Sequence, residues 1–571
     1  MLWQTRLAAL PIFAVTLSLL ACGKPKQTGK PIPDEAPVPD AYGYVVDLKQ
    51  GWTNDTQRAF YDTPQGSEIM PYGWLLALEQ AGNDKRFLDP ANIDRFRYLP
   101  RKPSKSNPDG LPVGWTRGND SSGKAWFGLT CAACHTTQIN YTLPSTKQTI
   151  EFQVDGAPTL ADFSRMALDL VAALRATAHN ADKFDRFAKV VLRGNDNENT
   201  RAALRGELEQ VTASLHTRNE INKTPVEYGF GRIDAIGFIF NQTMSTLPSM
   251  PQNAKPSDAP ASYPFLWGTG QSNVVQWTGF APNGPRGAGA LVRNGGEVVG
   301  VFGKVELTDK ETYASSLKLE NLGELENWLD ELRAPVWPEN ILPKIDKDKA
   351  ALGKPLYAKL CARCHVVVAP EDQAKAYNTV VTPIGEINTD PTELNNMLQR
   401  EYDAGLYAGK KGSVIAGETI PSRTTALDAL TNAVIGSLLH RNKETLEALI
   451  AEHAIETGKA IKNVTGYKGR PLNGIWATAP FLHNGSVPNL YELLLPAAER
   501  SQSFTLGSRE FDPVKVGFTM DQPATAEAYA PFNFDTTLKG NSNAGHEYFG
   551  DGGAPLSEEE RWQLVEYMKT L

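Results

Sequence analysis

Cysteine is scarce in this chain, five among 571 residues. Four of the five are consumed by two copies of one pattern, Cys131-Ala132-Ala133-Cys134-His135 and Cys361-Ala362-Arg363-Cys364-His365. A zinc site would leave both adjoining histidines unexplained, and a lone redox dithiol needs no copy with the same histidine. An excess of positive charge is lacking as well. The 57 Lys and Arg stand against 65 Asp and Glu, a net charge of −8 with a pI near 5.7, which argues against nucleic acid as a partner. A long apolar run is the third absence. The stretch Met1 to Leu20 has one basic residue, Arg6, and an apolar run of signal-peptide length, broken by Pro11 and too short to span a bilayer comfortably.

The repeated pattern then carries the chemistry. Two cysteines three apart lie on one face of a helical turn, where their thiols can add to the two vinyl groups of a haem while the following histidine ligates its iron. Each box therefore reads as the attachment site of a covalently bound haem c, two in all. The fifth cysteine, in Leu19-Leu20-Ala21-Cys22-Gly23, resembles the lipobox of bacterial lipoproteins, in which the cysteine is acylated. Export to the periplasm follows from either an ordinary signal peptide or a lipoprotein one. Gly23 in place of Asp points to the outer membrane, touched through the lipid anchor only.

In chain order, the expectation is a signal peptide over 1–21, a Pro-, Lys- and Gly-rich tether over 22–39 and an N-terminal extension over 40–117. A first haem domain over 118–334, a Pro-rich linker over 335–344 and a second haem domain over 345–571 follow. The extension carries Trp52, Tyr61, Tyr72, Trp74 and Phe96 as packing aromatics and one short helix near Gly73–Gln80. Leu160, Phe163, Met166, Ala167, Leu170 and Leu174 recur at threes and fours and predict one buried helical stripe. Further helices are expected at Lys183–Leu192, Arg201–Leu215 and Leu319–Leu332. From Pro264 to Gly300 no helix or strand period fits. A helix over Asp348–Leu360 leads into the second box, and Ser557-Glu-Glu-Glu560 has the pattern of a capping box before a final helix carrying Trp562, Val565 and Met568. The fold class expected is mainly α, two cytochrome c-like haem domains with long loops and an N-terminal extension.

The run Thr478-Ala-Pro-Phe-Leu-His-Asn-Gly-Ser486, downstream of the second box, resembles the bacterial dihaem cytochrome c peroxidase superfamily. Asn107-Pro-Asp-Gly-Leu-Pro-Val-Gly114, Asp155-Gly-Ala-Pro158 and Asn541-Ser-Asn-Ala-Gly-His546 bring the resemblance closer still to its rubber oxygenase branch. It covers most of the chain from about residue 105 onward. The resemblance implies that Trp277 lies between the haems and carries electrons. It also implies that Glu297 stands over the open iron of the first haem as acid and base. Thr478 and Pro480 match positions whose carbonyls hold calcium in the peroxidases.

Departures from the superfamily pattern matter too. No histidine follows the first box before His179, which implies an open first haem. Leu493-Leu-Leu-Pro-Ala497 stands where the second haem's methionine ligand is found in those enzymes. His546 matches the distal histidine of the rubber oxygenase branch, implying ligation by His365 and His546, with Met397 and Met520 as competing ligands. His483 reads as a structural hydrogen-bonder. Three functions stay open on this reading: a peroxidase fed by a small redox protein and acting on hydrogen peroxide, an oxygenase using dioxygen on an organic substrate, and an electron carrier. Glu297 weighs for the peroxidase, the overall resemblance for the oxygenase.

Overall fold

The computed structural model describes residues 45–283, 288–308, 312–440, 464–520, 529–550 and 553–571. The expected signal peptide, the tether and Cys22 lie outside them.

The first box is a turn between two small sheets. In one, Ala125–Leu129 runs between Met70–Pro71 and Trp115–Asn119, antiparallel to both. In the other, Thr149–Asp155 pairs antiparallel with Thr136–Thr142 and parallel with Val45–Asp47. Between Leu129 and Thr136 the chain makes a single tight helical turn, Cys131–Ala133. Gly114 lets this turn pass: its φ is +74°, and a Cβ there would stand 1.9 Å from the Ala133 nitrogen. Helix predominates, as expected, but these strands make the architecture mixed, with 39% helix and 15% strand. The reason is local. Ile139 and Tyr141 on one strand, Phe152 and Val154 on the other, are buried at spacing two, a short alternation that stands beside much longer helical periodicities.

The expected stripe is the buried face of the helix Phe163–His179, capped by Asp162, with Phe163, Met166, Ala167, Leu170 and Leu174 inside. The helices Ala181–Leu192 and Glu198–Ile221 follow. Leu319–Glu331 is helical as the periodicity predicts. The stretch expected to lack regular structure contains the helix Ala288–Gly300. Its glycines are contact surfaces rather than breakers: a Cβ at Gly295 would lie 2.7 Å from Val434, and one at Gly300 2.3 Å from Ile239. Close approach of neighbouring chains offsets what glycine costs a helix.

The N-terminal extension is stapled to the first box's neighbourhood through Asp155. Gln50 Nε2 donates to its carbonyl at 2.8 Å, Gln57 Nε2 to its carboxylate at 2.6 Å, and the Tyr61 hydroxyl donates to the same carboxylate. Tyr61, Tyr72, Trp74 and Phe96 are buried, and the short helix is Tyr72–Ala77.

Leading into the second box, Lys347–Leu360 packs on the last helix, Glu558–Met568. Gly353 makes the approach possible, since a Cβ would meet the Gln563 carbonyl at 2.0 Å. The Tyr357 and Tyr567 rings stand 5.2 Å apart. Leu352, on the same helix as Tyr357, is exposed. Ser557 and Glu560 cap each other reciprocally. The Pro-rich stretch after residue 334 is anchored in the interior by Trp337, which is buried and edge-on to Trp476 at 5.5 Å, and the Trp476 indole donates to the Pro335 carbonyl at 2.8 Å.

Candidate functional site

Two cavities form around the two boxes. The first is walled by Cys131, Cys134, His135, Gln276, Trp277 and Glu297, the second by Cys361, Cys364, His365, His483, His546 and Trp277. None of the four cysteines is in a disulfide.

In both boxes the histidine is oriented the same way. His135 Nδ1 donates to the Pro264 carbonyl at 2.7 Å, and His365 Nδ1 to the Arg470 carbonyl at 2.7 Å. A ring nitrogen tied to a carbonyl leaves the other imidazole nitrogen for a metal and fixes its orientation. Burial holds both imidazoles neutral, with His135 brought down to about 4, the form that ligates iron. Two thiols and an oriented neutral imidazole on a wall that also carries many apolar side chains fit a covalently held haem.

Across the first cavity stands Glu297, on the helix Ala288–Gly300. Gln276, at φ +68°, turns its amide to donate to Glu297 Oε1 at 3.1 Å. Burial pushes the Glu297 carboxyl up, and the charge of Arg293 holds it back. Arg293 is itself ion-paired with Glu326, which also accepts from Asn294 Nδ2 at 2.7 Å. His179 and His216 are exposed and line neither cavity.

Trp277 is common to both walls. Its indole donates to the Ser262 carbonyl at 2.9 Å, and the Ser262 amide donates to the His483 carbonyl at 2.7 Å. The His483 ring stacks on Tyr467 at 4.1 Å and stands edge-on to Trp277 at 6.5 Å. The chain therefore brings an aromatic group, Trp277 with His483 and Tyr467, to the boundary between the cavities.

His546 lines the second cavity together with His365. Burial first, then the charge of His365, brings it down to about 3. Its Nδ1 is buried without a hydrogen-bond partner among the described residues, a lone polar atom of the sort that a ligand would explain. Arg500 builds the loop that presents it, donating to the carbonyls of Asn543 at 2.5 Å, Gly545 at 2.8 Å and His546 at 3.0 Å. The two competing methionines lie elsewhere. Met397 is buried and receives the Thr278 hydroxyl at 3.6 Å, and Met520 packs with Phe504 and Phe534.

Thr478 and Pro480 line the second cavity, and the Thr478 hydroxyl donates to the Ile475 carbonyl at 2.9 Å. Among the described residues no group of three His, Cys, Asp or Glu side chains is arranged to hold a metal ion, so calcium there would rest on carbonyls alone.

Sequence reasoning missed Gln276 as the partner of Glu297, and it missed Lys468 and Arg470, which line both cavities. It also missed the Arg500 clamp. A pair of cations two apart inside the otherwise apolar run from Tyr467 was the available signal.

Comparison with known proteins points to a cytochrome c-like region in the second half of the chain. The profile of a family described as RoxA-like, cytochrome c-like matches residues 466–505, the stretch that carries Lys468, Arg470, Thr478 and His483. The uncharacterized protein y4iJ of Sinorhizobium fredii is 32% identical over 593 aligned positions, covering 92% of this chain and 93% of that protein. A second uncharacterized protein of the same organism, y4iM, is 26% identical over 57% of this chain and 67% of its own length. The chain belongs to the family of y4iJ and carries a RoxA-like cytochrome c-like region, which implies haem c.

Proposed function

We propose that the protein is an exported dihaem c-type cytochrome with peroxidase-type activity, reducing hydrogen peroxide at the first box with electrons that arrive by way of the second. One observation carries the reading: a half-buried carboxyl, Glu297, oriented by Gln276, shares the first cavity with His135 and no other histidine among the described residues. An electron carrier needs no acid or base there. When bound, the haem supplies an iron that takes up peroxide and accepts electrons.

The protein's own groups do the rest. Glu297 takes the proton from one peroxide oxygen and returns it to the other as the O–O bond opens, work of the size general acid–base catalysis supplies, roughly 10²–10⁴-fold. The Gln276 amide holds it in one orientation. Arg293, paired with Glu326, opposes the upward push that burial gives the carboxyl. Overall, hydrogen peroxide, two electrons and two protons give two waters. Electrons pass from a small redox protein to the second site, held by His365 and His546, and on through Trp277. Cys22 anchors the protein in the outer membrane facing the periplasm, and a calcium on the Thr478 and Pro480 carbonyls completes the reading.

A second reading, an oxygenase acting on an organic substrate with dioxygen, is favoured by the RoxA-like match and by an apolar chamber beside Glu297 lined by Phe280, Val292, Leu430 and Val434. Electron paramagnetic resonance of the haem-loaded protein separates them. A high-spin ferric signal consumed by peroxide, beside a low-spin signal that His546→Ala abolishes, supports the peroxidase. Two low-spin signals indifferent to peroxide in the oxidised and half-reduced protein overturn it, and a haem that ignores peroxide but holds dioxygen moves the assignment to the oxygenase.

A further inference from the structure

Lys468 and Arg470 stand two apart on an extended segment, hence on one face, and both line both cavities. They are 8% and 6% exposed. Arg470 is well held, donating to the carbonyls of Phe265 and of Trp267, the latter at 2.8 Å, with its guanidinium 3.7 Å from the centre of the Phe265 ring. Lys468 is not. Its ammonium, with three donors, makes one hydrogen bond among the described residues, 3.3 Å to the Val274 carbonyl.

Among the described residues neither cation has a carboxylate partner, and burial first, then the charges of Arg470 and Arg293, push the Lys468 ammonium well down. The other basic residues of the cavity walls are accounted for: Arg293 is paired with Glu326, and Arg363 is exposed and 3.9 Å from Glu386. Glu297 accepts from Gln276. Two buried, mutually repelling cations without a counter-charge cost far more than either alone, and such pairs persist where an anion joins them. The anion must enter from the cavities, because that is where both side chains face. A haem brings two carboxylates, its propionates.

We propose that Lys468, backed by Arg470, is a carboxylate-binding site shared by the two cavities, holding a propionate of each haem and raising the reduction potential of both irons together. The proposal rests on the two-haem reading above. A positive charge between the sites disfavours the more positive ferric state of each iron, so its removal lowers both potentials.

The test uses full-length, haem-loaded protein carrying Lys468→Met, Lys468→Gln or Lys468→Arg, with covalent haem counted by mass and potentials read by absorbance titration. Two haems per chain, both potentials lowered in Lys468→Met and Lys468→Gln, and both restored in Lys468→Arg, are expected. Two haems with one potential shifted, or none, overturn the proposal. Should the uncharged variants fail to take up haem, uptake by Lys468→Arg supports a need for charge, and its failure in Lys468→Arg as well overturns it. Fewer than two haems in the unaltered protein would instead defeat the two-haem reading.

Discussion

Glu393 is the buried acid that the proposed chemistry does not use. It is 5% exposed, lines the first cavity, and keeps Oε2 without a partner among the described residues. Burial first, then the charges of Asp234 and Asp390, pushes its carboxyl up to about 8. A folded-state value above the unfolded one means that the native protein keeps a proton the unfolded chain has already released. This contribution is favourable below the ordinary carboxylate range and is lost as pH rises toward 8. Melting temperature is therefore expected to fall between pH 5 and pH 8, and Glu393→Gln to flatten the fall by an amount on the order of a few kcal/mol. Calorimetry of both proteins at the two pH values decides it, and equal slopes would remove the assignment. Asp234 and Asp155, each pushed up to about 6 by burial, keep their share of the slope in both proteins. Glu393 also marks the limit of what could be read in advance. The two boxes announce themselves by spacing, and Glu297, Trp277 and His546 by the runs around them. Glu393, Lys468 and Gln276 acquire meaning only when distant stretches converge on one cavity, and no local pattern encodes that.

Secondary elements divide along the same line. The helix Phe163–His179 was legible because its buried residues repeat with the helical period over four turns, and the last helix because Ser557 and Glu560 sit at capping spacing. The strands Thr136–Thr142 and Thr149–Asp155 were not, since seven residues of mixed Thr, Gln and aromatic character offer little alternation to count. Nor was Ala288–Gly300, whose glycines look like breakers until Val434 and Ile239 are seen lying on them. Glycine inside a helix thus has two meanings, and one substitution separates them. Gly353 has the Gln563 carbonyl 2.0 Å from where a Cβ would be, whereas Gly323, in the helix Leu319–Glu331, has nothing within 4 Å. Gly353→Ala is expected to destabilise by about 1–3 kcal/mol, because the two helices around the second box must part. Gly323→Ala is expected to stabilise by about 1 kcal/mol through helix propensity. Urea unfolding of the two variants measures both, and the same sign for both would refute the distinction.

At the scale of the molecule, the two halves expected as separate haem domains share one apolar core. A single cluster includes Leu160, Trp267 and Leu329 from the first half, Trp337 from the Pro-rich stretch, and Trp476, Phe511 and Val565 from the second. Hydrogen bonds cross the same boundary: Trp267 Nε1 donates to the Asn473 carbonyl at 2.8 Å, and the buried Arg232 donates through Nη1 to Asn541 Oδ1 at 2.8 Å. Cutting the chain in the Pro-rich stretch would leave Trp476 without Trp337 and Arg470 without the carbonyls of Phe265 and Trp267. Each loss strands a large apolar surface or a charged donor in the interior, where an unpartnered group costs roughly 1–3 kcal/mol and more when charged. Neither half can then reach its boxed cavity geometry alone, so the protein is expected to unfold as one unit. Far-ultraviolet circular dichroism and tryptophan fluorescence should trace superimposable urea curves, and a fragment of residues 345–571 should show no cooperative transition. Two resolved transitions, or a folded fragment, would mean that the contacts across Trp337 and Arg470 contribute little, and that the two boxes sit on independent bodies rather than in the interior of one.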